Sequence, residues 1–369
     1  MSEGLTLPLA SGASLRFYDR WLQRWREWMR ADTLAYLMSE TPDWKPPMNL
    51  DTKPRILISE FMDDSAVAAL ASEFDVIYQP DLVDRPADLL EAARHADALI
   101  VRNRTQVRGE LLAALKRAKV IGRLGVGLDN IDVSACQSRQ IGVIPASGAN
   151  AQAVAEYVIA SIFLLLRGAY FSSSAVGAGQ WPRTALSNGR EIAGKQLGLV
   201  GFGFIGQLTA KLARGLGLTV VAHDPALAPD APVWAETGVT PLGLDSLLGS
   251  SDIVSLHVPL LPQTCNLIDA ERLSRFKPGA ILINSARGGV VDEVALAAAL
   301  SSGQLGGAAL DVFDAEPLPA GSPLADAPNL LLTPHIAGLT VESNQRVSAL
   351  VAERVAQALR SSEVNHGAH

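Results

Sequence analysis

The segment "LGLVGFGFIGQLTAKLARGLGLTVVAHD", residues 197 to 224, constrains this chain more than any other. A short apolar run breaks at Gly201, Gly203 and Gly206 into a helical pattern, and a second apolar run ends at Asp224. A lone GxGxxG is weak, since glycine-rich turns are common; strand before, helix after and acid at the next strand end make a βαβ unit. Gly201 permits the tight turn, Gly203 lets the backbone approach a pyrophosphate, and Gly206 allows close helix packing. The helix N-terminus offers unpaired N–H groups and a positive dipole end to the diphosphate. Asp224 can accept hydrogen bonds from ribose hydroxyls and would repel a 2′-phosphate, so NAD is expected over NADP. The competing reading, a glycine turn with an unrelated exposed Asp, does not account for the flanks. No GxxxxGK[ST] run occurs, which disfavours an ATPase.

The rest of the chain alternates in the same way. "RILISE", "DVIYQP", "DALIVRN" and "VIGRLGVG" read as strands, separated by the helical patterns "DDSAVAALASEF", "PADLLEAARHA" and "GELLAALKRA". After the long helical run "NAQAVAEYVIASIFLLLRGAYF", the pattern restarts at the glycine turn and continues through "DIVSLHV", "GAILINSA", "GGAALDVF" and "NLLLTPH". Such alternation predicts an α/β fold of two doubly wound, Rossmann-like parallel-sheet domains. A length of 369 residues allows both to bury a core. The C-terminal amphipathic run "VESNQRVSALVAERVAQALR" is expected to pack back on the first unit. The first domain is then discontinuous, residues 54–150 plus 340–369, around a nucleotide domain at 151–339.

A net charge of -7 argues against a nucleic-acid surface, which needs basic stripes. Cys136 and Cys265 have neither metal-ligand spacing nor a disulfide framework, so no metal is expected and the cytoplasm is. No run approaches the roughly 18 apolar residues of an integral membrane segment. Residues 1–53 are atypical. They hold Trp21, Trp25 and Trp28 at spacing that puts them on one helix face, with Arg20, Arg24 and Arg30 spread around the others. This suits a membrane surface or a partner groove, but an appendage docking on its own protein, or leader sequence ahead of a natural start at Met48, is the plainer expectation. "TPDWKPP" then reads as a linker.

A nicotinamide cofactor implies hydride transfer, which calls for a proton donor and a cation for the substrate's acid group. Three strand ends supply candidates: Arg287 in "INSARGGVVDE", Glu316 in "ALDVFDAEP" and His335 in "LLTPHIAG". In an open parallel sheet ligands bind outside the carboxyl ends of the strands, so all three would meet at one edge. Histidine exchanges protons near neutrality, a carboxylate can orient it, and arginine offers a planar fork to a carboxylate. Taken singly, a capping Arg, a solvated Glu and a turn-packed His are equally good readings; together, after a dinucleotide fold, coincidence is a poor account.

These residues resemble the D-isomer-specific 2-hydroxyacid dehydrogenase family. "RLGVGLDNID", "NAQAVAEYVIASIFLLLRG", "GLVGFGFIG", "SLHVPLLPQT", "INSARGGVVDE", "ALDVFDAEPLP" and "TPHIAG" agree in order and spacing, from about Arg55 to Arg360. The resemblance implies an NAD-dependent enzyme interconverting a D-configured 2-hydroxy acid and its 2-keto acid by hydride transfer. In it His335 is the acid/base, Glu316 its partner, and Arg287 the residue on the substrate's carboxylate and keto oxygen. It puts Phe204, Ile205, Asp224, Pro259, Thr264, Ala286, Asp311 and Gly338 near NAD, and Gly125, Val126 and Gly127 on the substrate carboxylate. It also implies a homodimer formed through the nucleotide domain. The first 53 residues have no family counterpart, and no regulatory domain follows Arg360, so amino-acid feedback is not expected.

In "VRNRTQV", Arg102 matches a position where phosphoglycerate dehydrogenases direct an arginine toward the substrate phosphate, and Arg104 and Arg123 are expected to add positive charge. A surface-loop arginine is the alternative. The segments "ISEFMDDSAVAAL" and "LVDRPADL" are most similar to the family branch acting on 3-sulfolactate. 3-Phosphoglycerate, a plain D-hydroxy acid, or hydroxypyruvate/glyoxylate reduction follow as alternatives. An NAD-sensing corepressor on the same fold is a reading of another class, disfavoured by the joint presence of Arg287, Glu316 and His335.

Overall fold

The computed structural model describes residues 53–364, with side chains to residue 361. The helical reading of Trp21, Trp25 and Trp28 and the proline-rich linker lie outside the described residues. Two parallel sheets organise the rest. The first contains β1 (Arg55–Ile58), β2 (Asp75–Tyr78), β3 (Ala98–Val101), β4 (Val120–Arg123) and β5 (Gly142–Pro145). The second contains β6 (Gln196–Val200), β7 (Thr219–His223), β8 (Thr240–Pro241), β9 (Ile253–Leu256), β10 (Ala280–Asn284), β11 (Leu305–Leu310) and β12 (Leu330–Leu332).

The first sheet runs β2-β1-β3-β4-β5 and the second β12-β11-β10-β9-β6-β7-β8. Each reverses direction once, between β1 and β3 and between β6 and β9. Such a switch point opens a crevice at the carboxyl ends of the strands, which is where this fold binds ligands.

Alternation of side chains across each strand explains why both faces need covering. Ile56 and Ile58 enter one apolar cluster and Leu57 the opposite one. Ala280 and Leu282 likewise face away from Ile281 and Ile283. Burying each large aliphatic side chain contributes about 1.5–3 kcal/mol, so a one-residue register slip would forfeit a whole face. The helix Ala151–Arg167 sends Val158, Ile162, Leu165 and Leu166 into the second sheet's core and ends at Gly168, whose φ of 61° is left-handed.

The helix Val341–Val364 returns to the first sheet through Val347, Val351, Val355 and Leu359. Gly122 on β4 makes the approach possible: a Cβ there would lie 2.7 Å from Val351 and 2.8 Å from Val355. Arg360 closes the far end on Glu73 at 2.7 and 2.6 Å. Among the described residues no single helix is long and apolar enough to cross a membrane.

The sequence pattern passes over β5 and β8, and the reason is physical. Both lie at sheet edges, both are short and both end in proline, at Pro145 and Pro241. Proline removes a ladder donor and blunts an edge, and it also erases the apolar signature of a strand.

Candidate active site

The glycine turn behaves as three separate constraints. Gly201 has a φ of 96°, and a Cβ on it would lie 2.4 Å from the His257 carbonyl oxygen. Gly206 sits inside the helix Phe204–Gly215, where a Cβ would come within 2.5 Å of the Gly201 oxygen. Gly203, at the helix N-cap, has nothing within 4 Å, so its backbone is open to a ligand. A diphosphate fits that opening because the first N–H groups of the helix have no intrahelical partner. Asp224 follows β7 and grips the cradle itself: its carboxylate accepts from the Phe202 amide at 2.8 Å and the Ala226 amide at 2.9 Å. A carboxylate has about four acceptor sites, so it retains capacity for ribose hydroxyls.

Three strands of the second sheet carry the polar groups. At the end of β10 the buried Asn284 folds the turn, its amide donating to the Arg287 carbonyl at 2.9 Å and its oxygen accepting from the Ala286 amide at 3.0 Å. Gly288 is needed next, since a Cβ would lie 1.8 Å from the Phe313 oxygen. After β11, Glu316 accepts from the Phe313 amide at 3.1 Å through one oxygen and meets His335 Nδ1 at 2.7 Å through the other. A carboxylate on Nδ1 selects the tautomer that leaves Nε2 for proton exchange.

The first sheet contributes the facing wall. Beyond β4, Gly125 and Gly127 lie flat against guanidinium groups, for a Cβ would overlap Arg123 Nη1 at 1.4 Å and Arg287 Nη2 at 1.7 Å. Arg287 Nε also pairs with Asp129 at 3.0 Å, which ties the two walls together. Glu60, 4% exposed just past β1, accepts from the Arg102, Arg104 and Thr105 amides at 2.9, 3.1 and 2.9 Å. That carboxylate shapes the turn carrying Arg102.

A cavity of about 490 Å³ lies between the walls. It is lined by Arg102, Gly125, Val126, Gly127, Ile205, Pro259, Ala286, Arg287, Asp311, His335 and Gly338. Glu316 lines an adjoining cavity of about 410 Å³ that shares Arg123, Arg287 and His335. Other expected residues line neither. Gly201, Gly203, Gly206 and Asp224 form the cradle, and Phe204 is 72% exposed with its ring beside Gly148. Thr264 folds its own loop, donating to the Pro259 oxygen at 2.6 Å and accepting from the Leu261 amide at 2.7 Å.

One expectation needs correcting. Arg104 adds no charge to the cavity, because its guanidinium is taken by Asp84 and it lines neither space. Arg123 gains the importance Arg104 loses. Burial, and then the neighbouring Arg287, hold its guanidinium down to about 10, so it stays cationic at neutral pH. Arg102, also lowered by burial, stands over the Phe61 ring at 5.7 Å and donates to Asn344 at 2.7 Å.

Sequence reasoning missed Asn150, Ser285 and Asp129. Of five buried side-chain polar atoms without a partner among the described residues, three belong to Arg123, Asn150 and Ser285, which line the larger cavity. Unpaired buried polar groups are costly, so their convergence marks a polar ligand's place. Ser285 stands two residues before Arg287 and Asn150 opens the long helix; position was their only signal.

A dinucleotide cradle beside a cavity with a carboxylate-supported histidine and several arginines defines a dehydrogenase of small carboxylic acids. Residues 159–337 match the model of the D-isomer specific 2-hydroxyacid dehydrogenase, NAD binding domain. The chain is 53% identical over 304 residues to the (S)-sulfolactate dehydrogenase of Chromohalobacter salexigens, covering 82% of this chain and 98% of that protein. It is 42% identical over 308 residues to the D-3-phosphoglycerate dehydrogenase of Mycobacterium leprae, covering 83% of this chain but 57% of that one. Among solved structures, a glyoxylate reductase from Paecilomyes thermophila superposes with a TM-score of 0.74 at 30% identity, over 83% of this chain and 95% of that one. The chain belongs to the D-isomer-specific 2-hydroxyacid dehydrogenase family, NAD-dependent oxidoreductases.

Proposed function

We propose that this enzyme interconverts 3-sulfolactate and 3-sulfopyruvate with NAD. The observation that carries the reading is the convergence of Arg102, Arg123 and Arg287 on one cavity of about 490 Å³. A monocarboxylate needs one guanidinium; a substrate with a second anion gives the others a purpose. The similar sulfolactate dehydrogenase supports the choice of sulfonate. Its (S) label agrees with a D-specific family, because sulfur on C3 inverts the priority order around C2.

In this reading residues 151–339 bind NAD, and residues 54–150 with 340–369 close over the substrate. Gly201, Gly203 and Gly206 receive the diphosphate and Asp224 the ribose, while Phe204, Ile205, Pro259, Thr264, Ala286, Asp311 and Gly338 border the rest of the dinucleotide. The substrate carboxylate rests on Gly125, Val126, Gly127 and Arg287, and the sulfonate on Arg102 and Arg123. Bound NAD supplies the hydride acceptor for C2. His335 Nε2 takes the hydroxyl proton as the C–H electron pair leaves, and Arg287 steadies the forming keto oxygen. In the reverse direction the protonated imidazole returns that proton. Glu316 holds the ring throughout.

The test is NAD reduction with sulfolactate, 3-phosphoglycerate, glycerate and D-lactate at matched concentrations, in the native enzyme and in Arg102→Ala and Arg123→Ala. Each variant is expected to lose about 10²-fold in kcat/KM for dianionic acids, the scale of a lost charge-assisted hydrogen bond, and little for D-lactate. Native preference for D-lactate would sink the second-anion reading, and preference for 3-phosphoglycerate would move it to the second choice, phosphoglycerate oxidation, which the Mycobacterium leprae relative favours. Hydroxypyruvate/glyoxylate reduction remains the alternative within the family.

The enzyme is further proposed to be a cytoplasmic homodimer. Tyr170, Phe171 and Trp181, just beyond the helix Ala151–Arg167, are 59%, 55% and 78% exposed, an apolar surface of the kind a partner covers. Light scattering should return twice the chain mass, and Trp181→Ser with Tyr170→Ser should weaken association; a monomer at micromolar concentration would rule the dimer out. Recovery of the protein in an envelope fraction would rule out the cytoplasm.

A further inference from the structure

His335 occupies an unusual backbone position, and its neighbours account for it. Its φ of 55° is left-handed, a region that a non-glycine residue rarely adopts and that persists only where surroundings impose it. The imposing group is Asp311, 1% exposed, directly after β11. One carboxylate oxygen accepts from Thr333 Oγ1 at 2.6 Å and from the Ile336 amide at 2.8 Å; the other accepts from the Ala337 amide at 2.7 Å. Asp311 therefore holds the chain before and after His335. The Thr333 hydroxyl spends its only proton on Asp311, so the Tyr157 hydroxyl, 2.7 Å from Thr333 Oγ1, must be the donor to it. Burial raises the Tyr157 phenol above its ordinary range, which keeps that proton in place.

We infer that Tyr157 and Thr333 are positioning residues that, through Asp311, set the imidazole of His335 for proton transfer. The chain of contacts runs Tyr157 to Thr333 to Asp311 and then into the backbone on both sides of the histidine. None of the three needs to touch the substrate to act. Turnover depends on angstrom-scale placement of the proton donor, and a misplacement near 1 Å can cost about 10²-fold in rate. Asp311 also lines the cavity, so the two hydroxyls are the cleaner probes of the positioning role. The inference rests on His335 being the acid/base proposed above.

The test uses the full-length enzyme with Thr333→Val, Thr333→Ser and Tyr157→Phe, each alone and combined with His335→Gln, measuring kcat, KM for the keto acid and NADH affinity by fluorescence. Thr333→Val is expected to lower kcat by about 10²-fold, with KM and NADH affinity near native. Thr333→Ser should restore most of it. Tyr157→Phe should lower kcat less and in the same pattern. On the His335→Gln background neither hydroxyl should matter, because the group they position is gone. The inference falls if Thr333→Val and Tyr157→Phe keep native kcat, or if they lower the residual rate of His335→Gln by the factor they cost the native enzyme. Should His335→Gln alone keep full turnover, the acid/base reading fails first and takes the positioning role with it. A melting curve for each variant separates loss of fold from loss of placement.

Discussion

Replacing His335 with glutamine is expected to lower kcat by about 10²–10⁴-fold, the range that a positioned acid/base contributes. Glutamine keeps much of the side chain's size and can still hydrogen-bond to Glu316, so NADH binding and thermal stability should stay near native. The loss is assigned to proton transfer because His335 Nδ1 is committed to Glu316 at 2.7 Å, which leaves Nε2 as the nitrogen open to the substrate. Glu316→Gln should produce a smaller loss of the same kind, since it removes the carboxylate that selects the tautomer and steadies the imidazolium. Steady-state reduction of 3-sulfopyruvate, with NADH saturating, is the measurement. Native kcat in His335→Gln would remove this residue from the chemistry.

Arg287→Lys is the second large effect, and it separates charge from shape. Lysine keeps the positive charge and loses the planar fork, so the variant asks whether the site needs a cation or a guanidinium. Arg287 is held from two sides, Nε on Asp129 at 3.0 Å and Nη1 on the Ala286 oxygen at 2.5 Å, with Nη2 against Gly127. Losing one or two charge-assisted hydrogen bonds to the substrate, each worth about 1.5–3 kcal/mol, corresponds to a drop of about 10- to 10⁴-fold in kcat/KM. The loss should appear in both kcat and KM if the guanidinium meets the carboxylate and the forming oxyanion. An unchanged kcat/KM for every 2-keto acid tested would show that the fork is dispensable.

How much of this was legible beforehand differs from element to element. Gly201, Gly203 and Gly206 are readable because backbone geometry alone demands them: the turn, the open approach and the helix contact are local facts. Glu316 and His335 were legible as strand-end residues, since a parallel sheet sends every strand end to one edge. Arg102 and Arg104 show the limit. They are two residues apart in one turn, yet Arg102 lines the cavity and Arg104 pairs with Asp84. Nothing in their spacing distinguishes them; the difference comes from Glu60 gripping the turn's amides and from where Asp84 stands.

The sequence by itself determined what short-range chemistry dictates. It specified apolar runs that must be buried on both faces, glycines where no Cβ fits, and proton-exchanging or anion-binding groups just past the strands. Only the tertiary structure decided which of those groups share a space. Tyr157 and Thr333 are 176 positions apart and meet at 2.7 Å, and Asp129 reaches Arg287 from 158 positions away. Such contacts depend on how two separately wound sheets face each other and how helices lie on them. Periodicity encodes which face of an element is buried, whereas the partner across the cleft is set by packing summed over the whole fold.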